Sequence, residues 1–340
     1  MPMQETAAII GDGQMALVLA DAIVHRGMRV RLWGPFEKHV QELASSRRSP
    51  RLRDFQLDSA VDITHDDAAI FDDATIIINA IPTQFIRSVW ERLAPACPAD
   101  LPLVCVSKGI ENTTLLRPTQ IFEQVLRQQH RLGSRSTCAL SGPTIAAELA
   151  RHLPATMVAA SDDAALSARV QELFNVPWLR LYRNDDLLGV ELAGATKNVI
   201  ALAAGMIDGL QAGDNAKSAL LARGLAEIAR LGAAMGARLD TFFGIAGVGD
   251  LATTCFSPEG RNRTCGERLG KGESLDDILK QTTSVVEGVP TTRSVVELAT
   301  RHDIDMPITQ AVSRILFHGL SPRDAIEGLM SREMKTEQIG

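Results

Sequence analysis

The segment AAIIGDGQMALVLADAIVHRGMRVRLWG, residues 7–34, constrains the fold more than any other stretch of the chain. Thr6–Ile10 is a short apolar run of strand length, and GDGQ is a tight turn. A helical stretch follows from Gln14 to about Arg26, HRGM turns the chain, and Arg29–Trp33 is a second strand. This strand–turn–helix–strand plan carries a G-x-G-x-x-A spacing. Gly11 permits the turn, and Gly13 lets the backbone approach a pyrophosphate seated on the helix N-terminus. Ala16 supplies the small third position needed for helix–strand packing. The string alone is weak, but between a strand and a helix it points to a dinucleotide. An ordinary βα turn is the plain alternative. No acidic residue ends the second strand, and Glu37 comes late, so NAD and NADP both stay open and discrimination between them is expected to be modest. Arg31, Lys38, Arg47, Arg48, Arg51 and Arg53 are the cations that a 2′-phosphate would use.

The same rhythm continues. Thr75–Ala80, Leu103–Ser107, Thr137–Leu140 and Thr156–Ala160 read as further strands separated by helical stretches. Such a series predicts a mostly parallel sheet with helices on both faces. Loops fall where the strands end: NAIPTQ, then SKGIE with Lys108, then SGPT. Ligands bind at that edge of an open α/β sheet. From about Asp185 the rhythm changes to long Ala/Leu-rich helical stretches: Leu187–Ile207, Asn215–Met235, Leu275–Lys280, Thr291–Arg301 and Thr309–Phe317. The chain therefore divides into an α/β, Rossmann-like nucleotide-binding domain over 1–188 and an all-helical domain over 189–340.

Composition narrows the function. A net charge of -6 argues against a general nucleic-acid binder, and aromatics at 4% leave an aliphatic core. Cys97, Cys105, Cys138, Cys255 and Cys265 are odd in number and lack a CxxC, which is neither a zinc pattern nor a disulfide framework and suits a reducing cytoplasm. The N-terminal MPMQETAAII lacks a signal-peptide pattern, and the longest apolar run, Val199–Ile207, is too short to span a bilayer.

One stretch resists a purely structural reading. LAGATKNVIALAAGMIDG, Leu192–Gly209, looks like a buried helix, yet Lys197 and Asn198 sit inside it. Helical spacing puts Ala193, Gly194, Ile200, Ala201 and Ala204 on the same face as Lys197. A lysine there must snorkel out, find a partner, or perform chemistry.

Taken in order, GDGQMALVLA, VRLWG, SKGI, SGPTIAAEL, GVELAGATKNVIALAAGMIDGL, GIAGVGDLATTC, GRNR, VVEG and MPIT resemble the NAD(P)-dependent glycerol-3-phosphate dehydrogenases of the bacterial biosynthetic type. The resemblance spans nearly the whole chain. It implies reduction of dihydroxyacetone phosphate to sn-glycerol 3-phosphate with NADH or NADPH, for glycerophospholipid synthesis. It implies Lys197 as the proton-transfer residue, with Lys108 as a neighbouring cation that also reaches the cofactor. Asn198, Asp250 and Thr254 then contact substrate, and Gly260, Arg261 and Asn262 grip its phosphate. Gly142 and Thr144 bound the pocket. Gly11, Gly13, Gln14, Met15, Ala16, Ala146, Arg261, Val285 and Glu287 approach the cofactor. A homodimer is common in such a family; neither a metal nor membrane insertion is implied. Three positions depart from the family pattern: Gln14–Met15 replaces Ser and an aromatic, Pro35 replaces a charged residue, and Gly260 replaces Ser. Another β-hydroxyacid or polyol-phosphate dehydrogenase of the same superfamily, and a non-catalytic NAD(P) sensor, are the competing readings.

Overall fold

The computed structural model describes residues 5–129, 133, 135–282, 284–333 and 336. The first four residues of the N-terminal stretch lie outside the described residues. The chain splits into two compact units, 1–107 with 118–187, and 108–117 with 188–340.

The first unit follows the order β1 (Thr6–Ile10), α1 (Gln14–His25), β2 (Arg29–Trp33), α2 (Glu37–Ser46), β3 (Val61–Thr64), β4 (Ala74–Asn79), α3 (Thr83–Leu93), β5 (Leu103–Cys105), α4 (Pro118–Gln128), β6 (Thr137–Ser141), α5 (Ala146–Leu149), β7 (Ala155–Ala160), α6 (Ala164–Leu173) and β8 (Leu179–Asn184). These strands make one sheet in the order β3-β2-β1-β4-β5-β6-β7-β8. Every pairing is parallel except β6 with β7. β1 and β5 are buried along their whole length and β4 from Ile76 on, mostly with β-branched or apolar side chains, as strands covered on both faces must be. The apolar residues of α1, Leu17, Leu19 and Ile23, pack with Ile9, Ile76 and Ile78 of the sheet in one core.

The second unit contains α7 (Leu187–Gly209), α8 (Asp214–Ala234), α9 (Leu239–Phe243), α10 (Asp250–Phe256), α11 (Arg261–Gly270), α12 (Leu275–Gln281), α13 (Gly288–Arg301), α14 (Pro307–His318) and α15 (Pro322–Met330). Long and apolar enough to cross a membrane by length and composition, α7 is instead buried almost throughout inside the fold. Val199, Ile200, Leu202 and Met206 share a core with Leu225, Phe242, Leu251, Val295 and Val312. Each such side chain contributes roughly 1.5–3 kcal/mol on burial. The segment 108–117 follows β5 in sequence but belongs to this unit. Ile110 and Leu115 enter the helical core, and Ser294 on α13 donates to the Ile110 carbonyl at 3.1 Å.

Candidate active site

In the first unit, β1 lies between β2 and β4, where the strand order reverses. A crevice at that point of an open sheet is where dinucleotides bind. Gly11 turns the chain there with φ +120°, and an added Cβ would come within 3.0 Å of the Ala80 carbonyl oxygen. Its N–H is held by the Trp33 carbonyl at 2.8 Å. Gly13 caps α1 without a side-chain hydrogen bond, and a Cβ there would meet nothing within 4 Å. No side chain at the cap position satisfies the first N–H groups of α1, which leaves them for a pyrophosphate. Ala16 is fully buried against the sheet. The residues present fit a dinucleotide. Met15 packs against the sheet core, and the Gln14 amide donates to the Arg51 carbonyl. Thr144 donates to the Gly142 carbonyl at 3.1 Å in the turn after β6, and Ala146 opens α5.

Two of the cations singled out for a 2′-phosphate are already engaged. The Arg31 guanidinium bonds Asp62 at 2.9 Å and the carbonyls of Ala69 and Asp72 at 2.8 and 2.6 Å. Arg47 donates to the Val61 carbonyl at 2.6 Å. Lys38, Arg48, Arg51 and Arg53 are exposed.

The helical unit brings the other candidates together. Asp250 opens α10 and is 1% exposed. Its Oδ2 accepts from Lys108 Nζ at 2.7 Å, and its Oδ1 accepts from Lys197 Nζ. Lys197 also donates to the Thr254 hydroxyl at 2.7 Å, and Thr254 lies one turn after Asp250. One carboxylate therefore bridges two lysines far apart in sequence. A π-helical turn, Ile245–Gly249, runs directly into Asp250; such turns recur at functional sites.

Asn198 extends the network. Its amide donates to the Lys108 carbonyl at 3.1 Å, and its carbonyl oxygen accepts from Asn262 at 2.9 Å. The Asn262 oxygen accepts from the Gly288 N–H at 2.9 Å, which ties in the segment of Val285 and Glu287. Glu287 precedes α13 as its cap residue, and Val285 is half-buried. Gly260 caps α11 with no side-chain bond, packed near the Thr254 carbonyl, and Arg261 is exposed on the first turn. A helix N-terminus beside a guanidinium suits a phosphate dianion. Arg263 is structural: its Nε lies 2.7 Å from Asp208, though off the hydrogen-bond axis. Sequence reasoning missed the Arg117–Glu191 ion pair, which braces the segment after Lys108 against α7. Glu191 sits two positions before Ala193 in the marked motif, and that proximity was the available signal.

Electrostatics follow from burial. Removing the Lys197 ammonium from water pushes its pKa down to about 8, Asp250 opposes that fall, and Lys108 adds to it. Burial alone would raise Asp250, but the two ammoniums, Lys108 foremost, more than offset it and hold the carboxyl below its ordinary value. The Cys255 thiol is pushed up to about 12 by burial, so it is inert beside this cluster. The arrangement offers a fixed anion, a lysine that titrates near neutrality, and a second cation.

Comparison with known proteins gives a consistent likeness. Residues 6–167 match the family model described as the NAD-dependent glycerol-3-phosphate dehydrogenase N-terminus, and residues 186–327 match the one described as its C-terminus. An NAD(P)+-linked glycerol-3-phosphate dehydrogenase of Salinibacter ruber is 41% identical over 338 residues, covering 98% of this chain and 97% of that protein. One from Macrococcus caseolyticus is 43% identical over 331 residues, covering 97% and 99%. Among solved structures, glycerol-3-phosphate dehydrogenase from Coxiella burnetii superposes with a TM-score of 0.92 at 33% identity, covering 97% of this chain and 100% of that one.

Proposed function

The chain belongs to the NAD-dependent glycerol-3-phosphate dehydrogenase family, which makes it an NAD(P)-dependent oxidoreductase, and on that premise we propose how its residues carry the reaction. It reduces dihydroxyacetone phosphate to sn-glycerol 3-phosphate and thereby feeds glycerophospholipid synthesis. Reduced nicotinamide, when bound, supplies the hydride. The turn at Gly11–Ala16 holds the pyrophosphate.

The observation that carries the reading is the Asp250 carboxylate bridging Lys108 and Lys197 in a buried cluster. Lys197 donates a proton to the carbonyl oxygen of the substrate as that oxygen gains negative charge. Its pKa near 8 leaves the ammonium populated at neutral pH and the amine accessible. The amine then regains a proton from solvent; in the oxidative direction it acts as the base. Lys108 supplies a second positive charge that stabilises the developing alkoxide. Asp250 and Thr254 orient the Lys197 ammonium and keep both cations in place. Arg261 and the first turn of α11 hold the phosphate. Asn198 and Asn262 link that phosphate subsite to the proton donor. The Gln14–Met15 departure leaves the backbone cradle intact, because that cradle needs N–H groups and not an aromatic ring.

We assign the protein to the cytoplasm, a reading supported by five free buried thiols. A homodimer is the assembly we expect by family likeness. Steady-state assays with dihydroxyacetone phosphate and unphosphorylated dihydroxyacetone, each with both reduced cofactors, test the function. Turnover of the phosphorylated ketone and poor turnover of the other is the expected result. Equal turnover of both would transfer the reading to a dehydrogenase that ignores phosphate, and cofactor binding without turnover would favour a sensor.

A further inference from the structure

The second strand ends without an acidic residue, yet a carboxylate stands at its end. It comes from Asp12, between the two glycines of the first turn. A Cβ built on Gly34, the residue after β2, would lie 2.7 Å from Asp12 Oδ2 and 3.0 Å from its Cγ. The missing side chain at Gly34 is what makes room for this carboxylate. From α2, His39 sets its Nδ1 2.8 Å from the same Oδ2. The Asp12 side chain is 12% exposed and that of His39 32%, so the pair is sheltered but open to a ligand. Asp12 Oδ1 has no protein partner among the described residues and remains an available acceptor.

In dinucleotide-binding sheets, the end of the second strand is where a carboxylate accepts the ribose 2′-hydroxyl of NAD. We propose that Asp12 does this here, delivered from the β1 turn instead of from β2, and that it makes the enzyme favour NAD(H) over NADP(H). A 2′-phosphate would bring its negative charge against this carboxylate, whose Oδ2 is held by His39. Arg31 and Arg47, two of the cations that could have answered such a phosphate, are spent on Asp62 and on backbone carbonyls. His39 is a positioning residue that holds the carboxylate toward the strand end. The proposal rests on the reading that the first unit binds a dinucleotide.

The test is equilibrium binding of NADH and of NADPH, followed by nicotinamide fluorescence, on the parent, Asp12→Asn, Asp12→Ser and His39→Gln, with thermal melts to verify folding. Binding separates cofactor choice from turnover. The parent is expected to bind NADH at least about tenfold more tightly than NADPH. Either Asp12 variant is expected to lose roughly 10- to 100-fold in NADH affinity, the range for a hydrogen bond to a charged group. NADPH affinity is expected to hold or rise, so the ratio of the two Kd values moves toward one. A merely structural role would weaken both cofactors equally and leave that ratio unchanged. His39→Gln is expected to move the ratio part of the way. A ratio unaltered in folded Asp12 variants that still bind NADH overturns the proposal alone. A parent that prefers NADPH also overturns it and transfers cofactor choice to Lys38, Arg48, Arg51 and Arg53. Failure of the parent to bind either cofactor would remove the dehydrogenase reading itself.

Discussion

Replacing Asp250 with asparagine tests the electrostatic core of the mechanism. The substitution keeps the size of the side chain and removes the one anion that bridges Lys108 and Lys197. Asp250 raises the pKa of Lys197, while burial and Lys108 lower it. Without the anion, both lowering influences meet only a small opposing one, from Cys255. Two unit charges about 4 Å apart at an effective dielectric of ~20 interact by about 4 kcal/mol. At 1.36 kcal/mol per unit, that is a ceiling of about three pKa units. Water entry and side-chain relaxation reduce it, and a fall of at least about one unit is expected. In the parent, kcat/KM for ketone reduction should decline tenfold per pH unit above about 8, where Lys197 loses its proton. In Asp250→Asn that limb should move to about 7 or below, on top of a general loss from mispositioned lysines. The assay is reduction of dihydroxyacetone phosphate across pH, followed by nicotinamide absorbance, with circular dichroism to check the fold. A folded variant whose limb stays where the parent's lies refutes the claim that Asp250 sets the charge state of Lys197.

Lys197→Ala should lower turnover by about 10²–10⁴-fold, the usual worth of a general acid, while NADH affinity measured by fluorescence is retained. Arg261→Ala should cut kcat/KM for dihydroxyacetone phosphate by roughly 10- to 150-fold, with only partial rescue by lysine and little change for unphosphorylated dihydroxyacetone. Glu227 is pushed up to about 7 by burial, although it accepts from the N–H groups of Ile308 and Thr309 at the start of α14. Between about pH 4.5 and about 7 the folded chain holds a proton that the unfolded chain has released, so stability falls as pH rises through that window by up to about 3 kcal/mol. Urea unfolding of Glu227→Gln should show a flatter pH dependence there, and a slope equal to the parent's would contradict the assignment. Gly205→Ala should destabilise the fold and weaken catalysis, because its Cβ would fall 1.9 Å from the Arg263 carbonyl; an unchanged melting temperature would count against the tight α7–α11 contact.

Much of the fold was legible because its signals are local. The apolar runs of β1, β2, β4 and β7 are bounded by Gly, Pro or polar residues, and α7, α8, α13 and α14 keep long helical patterns. β3 escaped notice because VDIT is four residues long and buries only Val61 fully. β8, an edge strand, alternates buried and exposed residues over Leu179–Tyr182, yet its arginines disguised it. The antiparallel β6–β7 pairing has no compositional mark, since strand direction is decided by chain path. GRNR was noticed for its charges but not as the start of α11, whose charged sequence carries little apolar period. Lys197 stood out because a lysine on an apolar helical face needs a reason. Its partner did not stand out: Asp250 is 53 residues away from Lys197 and 142 from Lys108, and no spacing rule reaches that far. The Asp12 carboxylate was hidden for a related reason, because it occupies the end of one strand while belonging to the turn after another.

The packing of α7 on α11 joins these readings. Gly205 and Gly209 on α7 face Gly266 and Gly270 on α11, and in each case an added Cβ would run into backbone of the opposite helix. Small residues at four-residue spacing on both helices let their backbones approach closely, at an intrinsic cost of ~1 kcal/mol for each helical glycine relative to alanine. That approach aligns Asn198, seven positions before Gly205, with Asn262, four before Gly266, at hydrogen-bond distance. Lys197 is the neighbour of Asn198, and Arg261 the neighbour of Asn262. The glycines that make LAGATKNVIALAAGMIDG look like ordinary helix filling are thus what sets Lys197 and Asn198 of α7 close to Arg261 and Asn262 of α11. Lys108 joins the same unit through 108–117, anchored by Ile110, Leu115, Ser294 and the Arg117–Glu191 pair. The two lysines, their shared carboxylate and the first turn of α11 are assembled within one folded unit. The charge state of Lys197 is therefore a property of that unit's own packing.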